Sequence, residues 1–557
     1  MTWTRTLPPP AARVERRANV AAPLKPAPGL ALAAATPVVQ ASAPSVRDWI
    51  GVLAMVVGLF MAIMDVQIVT SSLTQIQGGL SASPDEIAWV QTAYLIADVV
   101  MVPLSGMLSR LLSTRVLFVT ATIGFTAASA LCATATTLGQ MIIYRAIQGF
   151  SGGAMTPAVF PVVYTKFRQP YLASIMVIIS AILNLSATLG PTIGGYLTDT
   201  FSWHWLFLVN IVPGIFVAGV VWLSIDIDKP ELSLWRHFDL CGLVLMAVFL
   251  GCFEYALEEG PRWDWLSDDT ILAAVVVSGT ASALFFWRVL TYHHPIVDLR
   301  AFTNRNFALG SFYTFVVGAG IYGTTYLIPL FLAQVRGFSS LQIGETVVVA
   351  GLAQMAMSPF SARLARNMDL RLMLGIGIGL FAVSMYLNAG LTNQAGYVEL
   401  FVPQVVRGVA LMMCYIPANL IALSSVRQDK LKNAAGLYNL TRDLGGAIAL
   451  ATIGTVMNDR LHFHWTRLIE DINPARPAVQ DFLDMQSRRL DSLLSGDSGR
   501  AAIKLLANLV QREALVLTYN DAIFLLGSLF IAALLLMPLV EADPKIGPGA
   551  KVESAPG

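Results

Sequence analysis

Long apolar stretches recur along this chain and are separated mostly by short polar connections. An α-helix needs about 20 apolar residues to cross the roughly 30 Å hydrocarbon core of a bilayer, and each stretch reaches about that length. The pattern therefore predicts about fourteen transmembrane helices. Their approximate ranges are 49–78, 86–109, 116–135, 138–164, 171–197, 204–225, 239–258, 270–290, 307–334, 341–362, 371–390, 398–423, 432–457 and 514–540.

The composition places the chain in the membrane as well. Hydrophobic residues make up 55% of it and charged residues 13%, against roughly 25% charged in soluble domains. Its mean hydropathy is +0.65, so we predict an all-α integral membrane protein. A net charge of +1 gives no reason to expect a nucleic-acid partner. Neither the four cysteines nor the six histidines have the spacing of a metal site, so no metal and no cofactor are predicted.

Lysine and arginine are concentrated in alternate connections between the spans. Cytosolic loops of membrane proteins carry an excess of these residues, so the alternation places both termini in the cytosol, as an even span count requires. Residues 1–47 are basic and rich in proline and alanine, which predicts a disordered cytosolic tail. The basic connections contain Arg110 and Arg115, Lys166 and Arg168, Arg300 and Arg305, Arg363, Arg366 and Arg371, and Arg427, Lys430 and Lys432.

The chain also repeats itself. The stretch from Pro103 to Arg110 recurs from Pro359 to Arg366, and residues 145–149 are echoed by 404–408, at offsets of 359 − 103 = 256 and 404 − 145 = 259. Two matches in register predict two homologous six-helix bundles related by a pseudo-twofold axis, a design typical of transporters. The predicted parts are an N-terminal bundle (48–226), a linker with two extra transmembrane helices (227–290), the first five helices of the C-terminal bundle (291–457), an external amphipathic loop (458–513), the last transmembrane helix (514–540) and a cytosolic tail (541–557).

Three charged side chains inside the N-terminal spans are candidates for proton coupling. Asp65 and Asp98 lie near the middle of the first and second spans, and Arg145 lies in the fourth, where it has the reach to pair with either carboxylate. An arginine keeps its charge, whereas a sufficiently desolvated aspartate can take up a proton near neutral pH. The alternative is a static ion pair that only holds helices together.

Polar and aromatic residues in other spans are candidates for a substrate cavity. Arg442 and Asp443 are either a local ion pair or part of a cavity wall. Glu254 falls near the outer end of its span and is expected at the membrane interface. The predicted cavity residues are Tyr94, Asn184, Tyr322, Tyr326, Asn439 and Arg442.

Two further segments allow both a structural and a functional interpretation. A proline and three glycines in the fifth span, at Gly190, Pro191, Gly194 and Gly195, are typical of close helix packing in membranes, with or without a role beyond it. Within 458–513, apolar residues recur at helical spacing among charged ones and predict two amphipathic helices. These either lie on the membrane surface or bind a helix of an external partner.

Several of these motifs together resemble the major facilitator superfamily. More narrowly, the chain from about 48 to 540 is similar to its fourteen-span drug:proton antiporters, the EmrB-type multidrug exporters in particular. The residues that carry the resemblance are Asp65, Arg145 with Gln148 and Gly149, Gly190 and Pro191 with Gly194 and Gly195, and Trp203 to Phe207 with Asn210.

The resemblance implies export of cytosolic lipophilic compounds in exchange for external protons, with Asp65 as protonation site and Arg145 as its modulator. It assigns gating or structural roles to Gln148, Gly149, Gly106 and Arg110. It also implies a multi-pass protein of the inner membrane, driven by the proton gradient without a cofactor. A periplasmic membrane-fusion adaptor and an outer-membrane channel would be its partners, docked through 458–513.

One difference from the family's sequence motif and two alternatives for the function remain to be considered. The family carries Asp, Arg and Gly in the connection between spans two and three, where this chain has Arg110, Leu111 and Ser113, so gating by that element is in question. The substrate is either a range of drugs or one endogenous metabolite such as a siderophore. A nutrient symporter is disfavoured by the glycine-proline motif, and no nucleophile and base recur together as in an enzyme.

Overall fold

A computed structural model describes residues 44–83, 86–167, 171–292, 295–427, 430–470, 472–473, 475–491 and 498–540. The predicted cytosolic tails lie almost entirely outside these ranges, although Val46 and Arg47 already belong to the first helix. Within them the chain forms α-helices and short 3-10 turns and no β-strand, which confirms the all-α class. The α-helices are α1 (Val46–Ser71), α2 (Leu73–Leu80), α3 (Trp89–Leu112), α4 (Thr114–Cys132), α5 (Leu138–Lys166), α6 (Tyr171–Thr200), α7 (Trp205–Leu208), α8 (Ile211–Ser224), α9 (Leu240–Glu259), α10 (Asp269–Thr291), α11 (Arg305–Gln334), α12 (Ser340–Asn367), α13 (Leu370–Asn388), α14 (Tyr397–Ser424), α15 (Leu431–Glu470), α16 (Pro477–Asp491) and α17 (Ser498–Leu535).

Among the described residues, eleven helices are long and apolar enough to cross a membrane. The other three predicted spans are also helical, as α5, α6 and α15, with 29, 30 and 40 residues. Two predicted spans differ from the structure because each contains a break. The first is interrupted at Ser72, between α1 and α2, and the sixth is split into α7 and α8.

The two halves of the chain pack their helices in the same way. In the first half α3 packs on α5, α1 on α6 and α4 on α8; in the second, α12 packs on α14, α11 on α15 and α13 on α17. A Cβ at Gly149 would lie 2.2 Å from the carbonyl oxygen of Tyr94, and one at Gly408 would lie 2.2 Å from that of Ala350. The offsets, 408 − 149 = 259 and 350 − 94 = 256, reproduce those of the sequence repeat.

The two extra helices form a hairpin that packs on the bundle through α9. Ser278 on α10 donates a hydrogen bond to the carbonyl oxygen of Phe249 at 3.0 Å. Arg288 binds Asp239 at 2.7 Å at the other end of the hairpin. Helix α9 then contacts both α3 and α15, so the hairpin reaches helices of both halves.

The segment 458–513 is not separate from the spans that flank it. Helix α15 continues to Glu470, and α17 already begins at Ser498, so the second predicted amphipathic helix is the first part of α17. Asp521 stabilises this extension because it accepts hydrogen bonds from Arg460 at 2.6 Å and shares one with His464 at 2.8 Å. Helix α16 is a separate helix, as predicted, and packs on α17.

Candidate functional site

Asp65 is the centre of a hydrogen-bonded cluster inside the first half of the chain. Its side chain is fully buried, at 0% exposure. Arg145 Nη1 lies 2.6 Å from Oδ2, and the amides of Gln148 and Asn210 donate to Oδ1 at 3.0 and 2.8 Å. The cluster therefore joins α1, α5 and the start of α8. Arg145 pairs here with Asp65 and forms no ion pair with Asp98 among the described residues.

Arg145 is held in place by more than the carboxylate. Its Nε donates to the carbonyl oxygen of Val90 at 3.1 Å, and its Nη1 also donates to Gln148 Oε1 at 2.8 Å. The guanidinium carbon stands 4.3 Å above the ring of Tyr94. A buried ion pair is tolerated only where such further contacts offset the loss of water. Tyr94, predicted as a cavity residue, thus lies beneath the arginine in the core of this half.

The local sequence makes this arrangement possible. Because Gly149 has no side chain, α5 approaches the backbone of Tyr94 closely, and Arg145 one turn earlier reaches α1. Asn210 also donates to Ser129 Oγ at 3.1 Å, and Ser129 donates to the carbonyl oxygen of Phe207 at 2.8 Å. In the sequence Asn210 was identified only as part of the family motif and Ser129 not at all, although a polar side chain in an apolar span is itself the signal that finds such residues.

The second half has a buried arginine, but it has no aspartate at the position that corresponds to Asp65. A Cβ at Gly190 would touch Gln67, and one at Gly446 would touch Tyr322 in the same way. The offset between these two partners, 322 − 67 = 255, places Gly320 at the position of Asp65. There a Cβ would lie 2.5 Å from the ring of Phe530, so aromatic packing fills the space. Arg407 is buried, and its Nε and Nη1 have no hydrogen-bond partner among the described residues. Within the described residues, the second half therefore has no counterpart of the Asp65–Arg145 pair at these positions.

A second group of charged side chains lies between the halves. Arg442 on α15 donates from Nε and Nη2 to Oδ1 of Asp443, at 3.1 and 3.0 Å. Tyr322 on α11 donates to the same oxygen at 3.4 Å. Asp98 on α3 interacts electrostatically with both Asp443 and Arg442. Arg442 and Asp443 are therefore a local pair that faces a carboxyl group of the other half.

Glu254, near the outer end of α9, also belongs to this group. It is 6% exposed, on the face of α9 that packs against the bundle. It interacts electrostatically with Asp98 and Asp443. The sequence indicated its depth along the helix but not the direction it faces.

The remaining predicted cavity residues are placed differently. Tyr326 is 42% exposed. Asn439 is fully buried, and its amide donates to the carbonyl oxygen of Ala435 in the same helix at 2.8 Å. The side chain of Asn184 lies outside the part of the chain that the structure describes. Of the predicted set, Tyr322 and Arg442 are the two that meet Asp443.

The glycine-proline stretch lies where α6 contacts two other helices. A Cβ at Gly190 would lie 2.3 Å from the Cβ of Gln67 on α1. Next to it, Thr192 Oγ1 lies 2.0 Å from the position that a Cβ at Gly344 of α12 would take. Gly194 and Gly195 are buried, and the side chain of Pro191 lies outside the described part. The stretch thus touches the helix that carries Asp65 and, through Thr192, the opposite half.

The halves also meet at the end of the bundle formed by the α3–α4 connection and the start of α15, which we call the basic side. A Cβ at Gly106 would lie 2.9 Å from the carbonyl oxygen of Lys432. Asp228, which follows α8, accepts hydrogen bonds from the backbone of Thr114 at 3.0 and 3.1 Å and from the Lys432 ammonium. Lys432 also donates to the carbonyl oxygen of Ser109 at 3.0 Å.

The α3–α4 connection lacks the aspartate that the family carries there, and Asp228 takes part of its place. Asp228 caps the start of α4 and at the same time binds a cation of the other half, so it supplies a carboxylate where the connection has none. Arg110 instead forms a largely exposed pair with Glu231 at 3.3 Å. Sequence reasoning missed Asp228 because nothing in its local pattern indicates a contact with residue 432.

We expect that Asp228→Asn loosens the basic side. Hydrogen bonds to charged groups contribute about 1.5–3 kcal/mol, and a loss in that range shifts an open–closed equilibrium roughly tenfold or more. Amide hydrogen exchange at the start of α15 and α4 should therefore accelerate. Glu231→Gln is the matched control, because an exposed pair contributes less than about 1 kcal/mol. Equal rates of amide hydrogen exchange in the two variants would show that Asp228 does not hold the two halves together on the basic side.

A bundle of two related helical halves, with a buried ion-paired carboxylate in one and charged groups between them, is the architecture of secondary transporters. Residues 55–450 match the family description "Major Facilitator Superfamily". The chain is similar to "Colistin resistance protein EmrB" of Acinetobacter baumannii, with 39% identity over 88% of this chain and 96% of that protein. It is also similar to "Multidrug export protein EmrB" of Escherichia coli, with 27% identity over 89% and 96%.

Solved structures agree on the fold. The proton:xylose symporter XylE, of the same superfamily, superposes with a TM-score of 0.56 at 12% identity, over 89% of this chain and 96% of that one. The chain therefore belongs to the major facilitator superfamily and, within it, to the family of EmrB-type export proteins. It is a multi-pass protein of the cell inner membrane.

Proposed function

We propose that this protein is a proton-driven antiporter that exports small amphipathic or aromatic compounds from the cytosol. The observation that carries the proposal is the fully buried Asp65, bound to Arg145, Gln148 and Asn210. The multidrug export and resistance functions named for its relatives support the substrate class. The superfamily is one of transporters, so we propose no enzymatic activity and no cofactor. The proton gradient supplies the energy.

The contacts of Asp65 suggest how protonation is coupled to movement. A proton on the carboxyl group removes the charge that compensates Arg145, and an uncompensated guanidinium in a low-dielectric core is strongly destabilised. The stable response is a shift of α1 relative to α5. Because α1 also packs on Gly190 of α6, and Thr192 of α6 packs on α12, this shift is transmitted to the other half.

In this proposal Asp98 is a second carboxyl group that faces the substrate path. Its neighbours Asp443 and Arg442 belong to the opposite half, so their separation changes when the halves move. Tyr322 contributes an aromatic ring with a polar end at the same place, which suits amphipathic molecules. Gly106, Gly149 and Gln148 serve as close-packing and positioning residues.

The topology that suits this function has fourteen spans with both termini in the cytosol. The eleven apolar helices, together with α5, α6 and α15, supply that number. The basic side, with Lys432 and Arg110, then faces the cytosol, as the distribution of positive charge favours. The extended ends of α15 and α17, with α16, project on the opposite side.

We propose further that these projecting helices dock a periplasmic membrane-fusion adaptor, which leads to an outer-membrane channel. Helix α16 carries a charged exposed face with Asp481, Asp484, Arg488 and Arg489 around Met485. Membrane-surface binding is the alternative for such an amphipathic helix.

Deleting α16 separates the two possibilities. We expect a variant without residues 477–491, rejoined by a short flexible linker, to transport normally in vesicles of one membrane and to lose export from whole cells. The physical reason is that α17 and the transport bundle remain intact while the docking surface is removed. Undiminished whole-cell export, at equal protein levels, would count against adaptor docking.

Transport in inside-out vesicles tests the proposed function directly. An imposed proton gradient, acidic inside, should drive uptake of a lipophilic dye, and a proton ionophore should abolish it. Equal uptake with and without the gradient would contradict proton coupling. A gradient in the opposite direction driving uptake would indicate a symporter. A panel of dyes, drugs and siderophores separates a broad pump from an exporter of one metabolite.

A further inference from the structure

Helix α9 is one of the two extra helices, and most of its surface is not packed against the rest of the protein. Four of its six buried positions, Gly242, Met246, Leu250 and Glu254, follow each other at intervals of four, so they form one stripe; the other two, Ala256 and Glu259, lie at its outer end. A stripe of this spacing is the face that packs on the bundle. One of its four members is therefore a carboxyl group in an otherwise apolar contact.

The outer half of α9 is held between α3 and α15. Tyr255 stacks on Trp89 of α3 with 5.2 Å between the ring centroids, and a Cβ at Gly251 would lie 3.3 Å from Ile96. On the other side, Asn458 of α15 donates to the carbonyl oxygen of Pro261 at 2.7 Å, just beyond α9. Glu254 thus faces the junction of the two halves, which α9 covers on one side.

The charges at this junction are unbalanced. Four carboxyl groups interact here, those of Glu254, Glu258, Asp98 and Asp443, and Arg442 donates its hydrogen bonds to Asp443. Glu254 is 6% exposed and has no hydrogen bond or ion pair within the described part of the chain. A carboxylate in an apolar contact, with other carboxyl groups around it, attracts a positively charged occupant.

The spacing of the groups limits the kind of cation. Among the described residues, no three acidic, histidine or cysteine side chains come close enough together to hold a metal ion. Tyr322, which contacts Asp443, adds an aromatic ring of the type that attracts organic cations. Carboxyl groups that do not converge on one point, with an aromatic ring beside them, suit an organic cation.

We infer that Glu254 of the extra hairpin, together with Asp98 and Asp443, selects substrates that carry a cationic group. Glu254 is then a specificity-determining residue, and the hairpin contributes to the substrate site as well as covering the bundle. This inference rests on the proposed export function and narrows its substrate class. It is independent of the Asp65 cluster, which lies within the first half and does not include α9.

Binding of two probes to purified protein tests the inference. Tetraphenylphosphonium is a permanent lipophilic cation, and Nile red is an uncharged lipophilic dye. We expect Glu254→Gln to weaken tetraphenylphosphonium binding roughly tenfold or more, as for loss of a charged contact, and to leave Nile red binding unchanged. Proton release on addition of Nile red should also be unchanged.

Glu259→Gln is the matched control on the same helix. Glu259 is buried as well, but it already accepts a hydrogen bond from Trp263 at 3.2 Å and pairs with Arg262 at 3.7 Å. The Glu259→Gln substitution should therefore not change tetraphenylphosphonium binding. Equal weakening of both probes by Glu254→Gln would overturn the inference in favour of a packing role, and unchanged tetraphenylphosphonium binding would overturn it outright.

The readouts also separate this inference from the proposed function. If the wild type releases no proton with either probe but Glu254→Gln still weakens cation binding selectively, the antiport proposal fails and the cation site stands. If Glu254→Gln reduces proton release with Nile red, Glu254 is a proton site and its assignment to substrate selection is wrong.

Discussion

Asp65→Asn abolishes proton-driven efflux while the protein stays folded: this is the result we expect from the buried cluster. Asparagine keeps the size of the side chain, and its single amide oxygen can still accept a hydrogen bond from Arg145 or from Asn210, but it cannot bind or release a proton near neutral pH. Uptake driven by a proton gradient in vesicles should fall to background. Substrate exchange without a gradient should persist if the helices can still move.

The structure provides a matched control for this substitution. Asp239 is also a buried aspartate bound to an arginine, Arg288, but it lies in the extra hairpin. Asp239→Asn should therefore keep gradient-driven uptake. Removing one partner of a buried pair costs about 3–5 kcal/mol, so thermal stability is measured for both variants. Normal drug resistance and normal proton release in Asp65→Asn would rule out this aspartate as the coupling group.

Gly190→Val is expected to produce the second large effect, a loss of coupling. A Cβ at this position already lies 2.3 Å from the Cβ of Gln67, so α6 and α1 must separate to accommodate valine. Overpacking of this kind costs about 1–3 kcal/mol. The separation disturbs the adjacent contact of Thr192 with α12. We expect vesicles containing this variant to leak protons or to show no gradient-driven uptake.

Gly279→Val is the control for the glycine substitution. Gly279 lies on α10, and a Cβ there would meet nothing within 4 Å. This variant should leave proton permeability and uptake unchanged. If Gly190→Val is folded and couples normally, the glycine-proline stretch contributes packing alone.

The elements of the fold that follow from burial in lipid were predictable from the sequence. Apolar length identified the helices, because any span must satisfy its backbone internally and present apolar side chains to lipid. The ends of α15 and α17 were not predictable in the same way. The outer turns of α15 carry Arg460 and His464, which lower the hydropathy while their contacts with Asp521 of α17 stabilise the extended helix.

The candidate site was predictable to the extent that single residues stand out. Asp65 and Arg145 are charges in apolar spans, and the sequence indicated both. The orientation of α9 could not be predicted, because apolar residues surround Glu254 on the lipid face as well as on the packed face. The contact between Lys432 and Asp228 could not be predicted either, because the two residues are 204 positions apart in the chain.

Proton release from the purified protein on addition of substrate tests the central claim most directly. In weakly buffered detergent solution, a saturating lipophilic substrate should make the wild type release protons, and Asp65→Asn should release none on the same addition. This release should disappear as the starting pH is raised, because the protein then holds fewer protons to release. Binding of the substrate without any proton release by the wild type, at every pH where the protein is folded, would contradict it.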